Sequence, residues 1–338
     1  MRIGRLELAA PFCQAGLAGY SDMPMRVVAR RRGCQFALTE AMSDEMVAQG
    51  GRAVRRRLAV RDDDHPLAGQ IMGSEPEMMA RAARVLVELG YDAVDVNVAC
   101  PVRKQARPRG GHLLARPELA VEVLARVRDA VPAEVPLTVK LRRGTDDSPL
   151  AAERFARIFA GVWEHGYDAA CVHGRTVEQV YRGIADWAFL AALKRAHPER
   201  VILGSGDLYT AADAVRMLRE TGMDGVWLAR GAIGNPWIFA QAAQAWAGAP
   251  VEEPGVAAQA AALREHLALI GEGYPAEQVA GRMRGVMFRY ARLHPDAEAV
   301  KKQALACVTR ADVDALIARW DVRVSPVSPA AAPAVSRA

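Results

Sequence analysis

An alternation constrains this chain more than any other feature. Short runs of apolar and β-branched residues recur at 12–15, 36–39, 67–72, 93–98, 137–141, 169–173, 201–205 and 225–229. Each has the length and composition of a strand buried on both faces. Between most of them apolar residues return every three or four positions, as at 75–89, 117–131, 150–164 and 211–220, with acidic residues early in each stretch. Parallel strands need a crossover between them, and eight strand–helix units in roughly 245 residues is the arithmetic of an α/β fold of the (β/α)8 TIM-barrel type. A doubly wound sheet is the rival. It would place a Gly-x-Gly-x-x-Gly turn after the first strand and open a helix on it; Gly16 and Gly19 have another spacing, and no helical pattern opens on them.

The 338 residues are 51% hydrophobic and 25% charged, which excludes a disordered or collagen-like chain and allows a sizeable core. Cys13, Cys34, Cys100, Cys171 and Cys307 lie far apart and form no Cys-x-x-Cys pair. The sequence therefore offers no zinc ribbon, thioredoxin motif or disulfide framework, and a cytoplasmic protein without a metal is expected. Arg5 and Glu7 stand where a signal peptide needs its apolar run. The longest uncharged stretch, 231–251, is broken by glycine, proline, glutamine and asparagine and reads as a loop followed by a helix, not a membrane span. A Pro- and Gly-rich hinge at 249–255 divides the expected barrel domain, 1–248, from helix-patterned residues 256–322, expected to form a small C-terminal helical domain. Residues 323–338, rich in Pro, Ala and Ser, read as a disordered tail. The formal net charge of +5 favours an anionic partner.

In such barrels the functional side chains collect at the carboxyl ends of the strands. Here those ends carry Gln70, Asn97 with Cys100 just beyond it, Lys140 and Arg142, His173 and Arg175, Gly204-Ser205-Gly206-Asp207, and Ala229-Arg230-Gly231. Loops after the last two strands often take a phosphate on backbone amides, and Arg230 would add a charge-assisted contact. Lys140 ends an apolar strand and points into the mouth, where a buried ammonium wants an anion; a Schiff-base lysine is the competing reading. His173 is either a satisfied core histidine or a ligand-facing one, and Gln70 can both donate to and accept from a heteroaromatic ring. Cys100 lies on a loop followed by Arg103, Lys104, Arg107 and Arg109. A thiol so placed is available as nucleophile or proton donor, and the cations suit a polyanionic substrate.

Several of these segments together resemble the tRNA-dihydrouridine synthases. They are Ala18-Gly19-Tyr20-Ser21-Asp22, Gln70-Ile71-Met72-Gly73, Asp95-Val96-Asn97-Val98-Ala99-Cys100-Pro101, Val139-Lys140-Leu141-Arg142, and His173-Gly174-Arg175-Thr176 with Tyr181 and Ala185-Asp186-Trp187. Gly204-Ser205-Gly206-Asp207 and the run from Arg230 to Trp237 complete the set, which appears in order from Met1 to about Phe239. The resemblance implies an FMN-bound barrel that reduces uridine in tRNA to 5,6-dihydrouridine, with NADPH or NADH recharging the flavin. It implies that Cys100 is the general acid, protonating carbon 5 of uracil as flavin hydride reaches carbon 6.

The family's flavin contacts fall on Gly16, Leu17, Ala18, Gln70, Lys140, His173, Ser205, Gly206, Asp207, Ala229 and Arg230, and Asn97, Arg142 and Arg175 are the expected grip on a flipped-out uracil. A monomer is expected, because a tRNA needs an open face. The family's first-loop Ala-Pro-Met-Ala-Gly is here Ala15-Gly16-Leu17-Ala18-Gly19; its Asn is Ser205, and Ala99 and Ala229 stand where it has glycine. The alternatives are a small-molecule flavin oxidoreductase of the dihydroorotate-dehydrogenase type and a non-catalytic RNA-binding relic. Retention of Cys100, Lys140 and His173 at one mouth speaks against the relic, since binding alone needs no acid, internal ammonium and imidazole together.

Overall fold

A computed structural model of the chain describes residues 1–100 and 110–320. Eight parallel strands close into a ring: β1 (Phe12–Gln14), β2 (Ala37–Leu38), β3 (Leu67–Met72), β4 (Ala93–Asn97), β5 (Leu137–Arg142), β6 (Ala169–His173), β7 (Ile202–Ser205) and β8 (Gly225–Leu228). Each strand bonds to the next in chain order, and β8 returns to β1 with Trp227 beside Cys13. The chain is thus a TIM barrel, and each strand lies within one residue of the run expected for it.

The inside of the ring is filled by small residues such as Ala68, Ala93, Ala169 and Cys171 around the large Trp227. Alternate residues of the same strands, such as Val94, Val96 and Val139, face the surrounding helices and belong to a second core with Phe155 and Ile158. Both faces are therefore dry, which is why the strands read as unbroken apolar runs. The helices Pro76–Glu88, Pro117–Ala130 and Pro149–Glu164 all begin on proline, whose fixed φ suits the first turn and whose missing N–H costs nothing there. Ala211–Thr221 is closed at its start by a Thr210–Asp213 capping box and at its end by Gly222 in the left-handed region.

Some elements carry no clear periodic signal. A hairpin pairs Arg2–Ile3 with Leu6–Glu7, and a short strand, Met42–Ser43, pairs with the end of β3. It leads into the helices Asp44–Gln49 and Arg52–Leu58. The uncharged stretch 231–251 forms a loop and the helix Ile238–Trp246, and among the described residues no helix is long and apolar enough to cross a membrane.

The chain divides into two compact units, one spanning Met1–Glu253 and one beginning at Pro254, with the division inside the Pro- and Gly-rich segment. The second unit contains helices Val256–Gly273, Ala276–Tyr290, Ala297–Ala306 and Arg310–Ala318. Buried Gln259 ties it together: Nε2 donates to the Leu293 carbonyl at 2.9 Å, and Oε1 accepts from Trp320 Nε1 at 3.1 Å. The tail expected at 323–338 lies outside the described residues.

Candidate active site

At the carboxyl end of the ring the strands stop in register, so that Asn97 lies beside Lys140, Arg142 beside His173 and His173 beside Ser205. These side chains line a cavity of about 180 Å³. Of the residues expected there, Gly16, Leu17, Ala18, Gln70, Asn97, Cys100, Lys140, Arg142, His173, Ser205, Gly206, Asp207, Ala229 and Arg230 all line it. Arg175 is not among the lining residues. The basic loop from Arg103 to Arg109 lies outside the described residues.

Charge is distributed unevenly around the cavity. Lys140 Nζ is buried, finds no oxygen or nitrogen acceptor among the described residues, has the Cys171 thiol as a weak partner, and stands 5.7 Å from the centre of the Trp227 ring. Burial, the largest influence, pulls its pKa below the usual lysine range. His173 feels the same loss of water together with four surrounding cations, foremost Lys140, and its pKa falls to about 2. It is therefore a neutral imidazole. Its Nδ1 accepts from the Arg175 backbone N–H at 3.1 Å, which places the ring proton on Nε2.

Beneath this group a hydrogen-bond line crosses three strands. Asp95 on β4 accepts from Thr138 Oγ1 and, at 2.8 Å, from Gln70 Nε2. Gln70 Oε1 accepts from Asn97 Nδ2 at 2.8 Å, and Asn97 Oδ1 accepts from the backbone N–H groups of Ala99 and Cys100, both at 3.0 Å. Burial pushes the Asp95 carboxyl up to about 6, against its bonds to Thr138 and Gln70. Arg142 braces the same loop from the other side: Nε donates to the Ala99 carbonyl at 3.0 Å, and Nη1 to the carbonyls of Thr176 and Val180.

At the opposite end the β7 loop turns through Gly206 and Asp207, both at positive φ. Gly206 is required, since a Cβ there would meet Ala185 Cβ at 2.6 Å. Asp207 is held by three donors: Arg175 Nη2 reaches both its oxygens at 2.7 Å, Ala185 N–H donates at 2.7 Å, and Arg230 Nη2 at 3.3 Å. Arg175 also donates to the carbonyls of Arg182 and Gly183, so Nε and Nη2 of the residue expected to grip a base are committed to the turn beside it, while Nη1 is buried without a hydrogen-bond partner among the described residues. Arg230 lies 4.8 Å from the ring centres of both Tyr181 and Tyr209.

Sequence reasoning missed Asp95, Trp227 and Tyr209. Asp95 had a signal, a lone carboxylate in an apolar strand; Trp227 could have been placed inside by the period of two along β8. The model of the family described as dihydrouridine synthase matches residues 13–322, a span that includes every side chain placed above. The chain belongs to the dihydrouridine synthase family. It is 34% identical over 328 residues to tRNA-dihydrouridine synthase B of Xanthomonas campestris pv. campestris, covering 94% of this chain and 97% of that one. A probable tRNA-dihydrouridine synthase of Treponema pallidum is 36% identical over 250 residues, 72% of this chain and 73% of its relative. Among solved structures, 2-naphthoyl-CoA reductase superposes with a TM-score of 0.55 at 15% identity, covering 74% of this dihydrouridine synthase and 52% of that chain. Histamine dehydrogenase from Rhizobium sp. 4-9 gives 0.56 at 13% identity, covering 80% and 50%. This family member spans about half the length of either, and the likeness is one of fold.

Proposed function

We propose that this dihydrouridine synthase reduces uridine in tRNA to 5,6-dihydrouridine, with FMN held in the barrel mouth, NADPH or NADH as reductant and Cys100 as proton donor. The observation that carries the reading is Lys140, a buried amine on the wall of the cavity with no oxygen or nitrogen acceptor among the described residues. Leaving such a group unpaired is costly, and an electron-rich ring edge beside it relieves the cost. The residues around it fit FMN: Gln70 offers an amide to the same ring, neutral His173 an N–H, and the Gly206–Asp207 turn with Arg230 suits a phosphate.

When bound, FMN supplies hydride to carbon 6 of uracil and is recharged by the nicotinamide nucleotide. The protein's own part is placement and one proton. Arg142, with Nη2 left beyond the bonds that Nε and Nη1 make to the loop carbonyls, and Asn97, with one amide hydrogen left beyond Gln70, hold the uracil, and the Cys100 thiol delivers its proton to carbon 5, a task that needs the neutral thiol. Lys140 would stand beside the FMN ring, where a positive charge would stabilise its reduced form. Arg175, through Asp207, sets the turn that receives the phosphate. In this reading the barrel unit carries the flavin, the helical unit from Pro254 binds tRNA, and the enzyme acts as a monomer. Family membership supports this reading over the small-molecule oxidoreductase and the relic, for which no feature of the site speaks.

The test is anaerobic reduction of the purified protein with NADPH, followed by reoxidation with unmodified tRNA transcript or with free uridine and orotate. Recovery of flavin absorbance with tRNA, slowed at least ~100-fold in Cys100→Ala while flavin stays bound, is the expected result. Protein without flavin, or flavin reoxidised only by the small molecules, would overturn the proposal.

A further inference from the structure

Asp95 does not line the cavity, yet the orientation of the two side-chain amides that lead to the Cys100 backbone, Gln70 and Asn97, traces back to it. An ionised carboxylate offers only lone pairs. Gln70 must therefore face Asp95 with its nitrogen, which leaves Oε1 to accept from Asn97 Nδ2, and Asn97 in turn keeps Oδ1 for the backbone N–H groups of Ala99 and Cys100. We infer that Asp95 is a positioning residue: it fixes the polarity of the line Asp95–Gln70–Asn97, whose far end is the acceptor that holds Cys100 in place. The opposite polarity would set the Asn97 amide nitrogen against two backbone donors. Water offers little relief, since Asp95 is fully buried and Gln70 and Asn97, though they line the cavity, are only 2% and 8% exposed. Thr138 Oγ1 supplies the second bond that anchors the carboxylate. The bearing of this line on catalysis rests on the reading of Cys100 as proton donor; the line itself does not.

The relay makes a prediction that mere space-filling does not. In Asn97→Asp two carboxylates face one amide, so Gln70 can satisfy only one of them and the loop's acceptor is compromised. Asp95→Asn alone is mild, because the new amide can keep its oxygen toward Gln70 and its nitrogen toward Thr138. Combined, Asp95→Asn and Asn97→Asp form a coherent reversed line: the amide at 95 donates to Gln70 Oε1, Gln70 Nε2 donates to the carboxylate at 97, and that carboxylate still accepts from the loop.

The experiment is the rate of alkylation of Cys100 by iodoacetamide in the full-length protein at about pH 8, where Asp95 is ionised, followed by peptide mass spectrometry. Cys13, Cys34, Cys171 and Cys307 are buried, so the fast phase belongs to Cys100. Asn97→Asp is expected to react roughly 3- to 30-fold faster, Asp95→Asn within about twofold of the parent, and the double variant also within about twofold, a non-additivity typical of residues in one network. An unchanged Asn97→Asp, or a double variant as fast as it, would overturn the inference. If Asn97→Asp does not fold, a double variant with a parental unfolding midpoint is the rescue, and a double variant that also fails refutes the relay. The readout needs neither tRNA nor turnover, so a failed relay and a failed functional assignment give different results.

Discussion

Replacing Arg175 by methionine isolates the lock on the β7 turn. The substitution keeps an unbranched apolar stem in a position that is 2% exposed and deletes the guanidinium. Bonds from Nη2 to Asp207 and to the Gly183 carbonyl at 2.6 Å, and from Nε to the Arg182 carbonyl at 3.1 Å, disappear together. Removing one partner of a buried ion pair costs about 3–5 kcal/mol, because the other charge is stranded. Asp207 is not fully stranded: its side chain is 22% exposed, and Ala185 N–H and Arg230 still reach it. The expected loss is therefore lower, about 2–3 kcal/mol. With a urea m-value of about 3 kcal/mol/M, the midpoint should fall by ~0.7–1 M without a change in slope. Trp187, whose Nε1 donates to the Gly206 carbonyl at 3.2 Å, is one of six tryptophans, and a chain keeping Trp187 with the other five replaced would report on the turn itself. Adding Asp207→Asn removes the stranded charge and should recover about 1 kcal/mol. A loss below ~0.5 kcal/mol, or no recovery in the double variant, would refute the view that Arg175 acts through Asp207.

Lys140→Met should separate stability from binding: removing a buried amine that has no oxygen or nitrogen acceptor among the described residues should raise the flavin-free protein's stability by about 1 kcal/mol, while FMN affinity falls at least ~10-fold, read by flavin fluorescence. Asp95 should leave a mark on the pH dependence of stability. Its carboxyl is raised to about 6 from an ordinary 3.8, so its contribution is fully present below pH 3.8 and is lost as pH rises through about 6. Relative to Asp95→Asn, the parent should lose about 2 kcal/mol between pH 4 and 7, measured as urea midpoints. His173 has the opposite sign: with its pKa lowered to about 2, it contributes stability above pH 6.5 that is lost as pH falls toward 2. His173→Asn should therefore flatten the acid limb, and an unchanged limb would show that the imidazole is protonated in the folded protein.

The barrel was legible because both faces of its strands are dry, so β3 and β6 stand in the sequence as apolar runs with the bounds found in the structure. Most of the site was legible for a related reason: a polar residue closing such a run, as Lys140 and His173 do, has nowhere to point but the mouth. What each polar residue bonds to was not legible. Asp95 meets Thr138 across 43 residues and Arg175 meets Asp207 across 32, separations on which no local pattern bears. Arg175 shows the limit well. Its place after a strand end suits a ligand contact and a scaffold contact equally, and only the carboxylate and carbonyls around it decide between them. The N-terminal hairpin was hidden by its length, since two-residue strands have no period to detect.

Gly16 also bears on how this protein can change. A Cβ at that position would lie 2.3 Å from the Thr39 carbonyl oxygen, a backbone atom that cannot swing aside as a side chain can. The proline carried by the family's first loop is thus not one mutation away in any practical sense. The turn after β2 would have to relocate first, and that shift would bring no benefit until the ring arrived. Natural variation or laboratory evolution that starts from this background should explore the rest of the loop more freely than position 16, where any side chain needs a second change in the backbone it would strike.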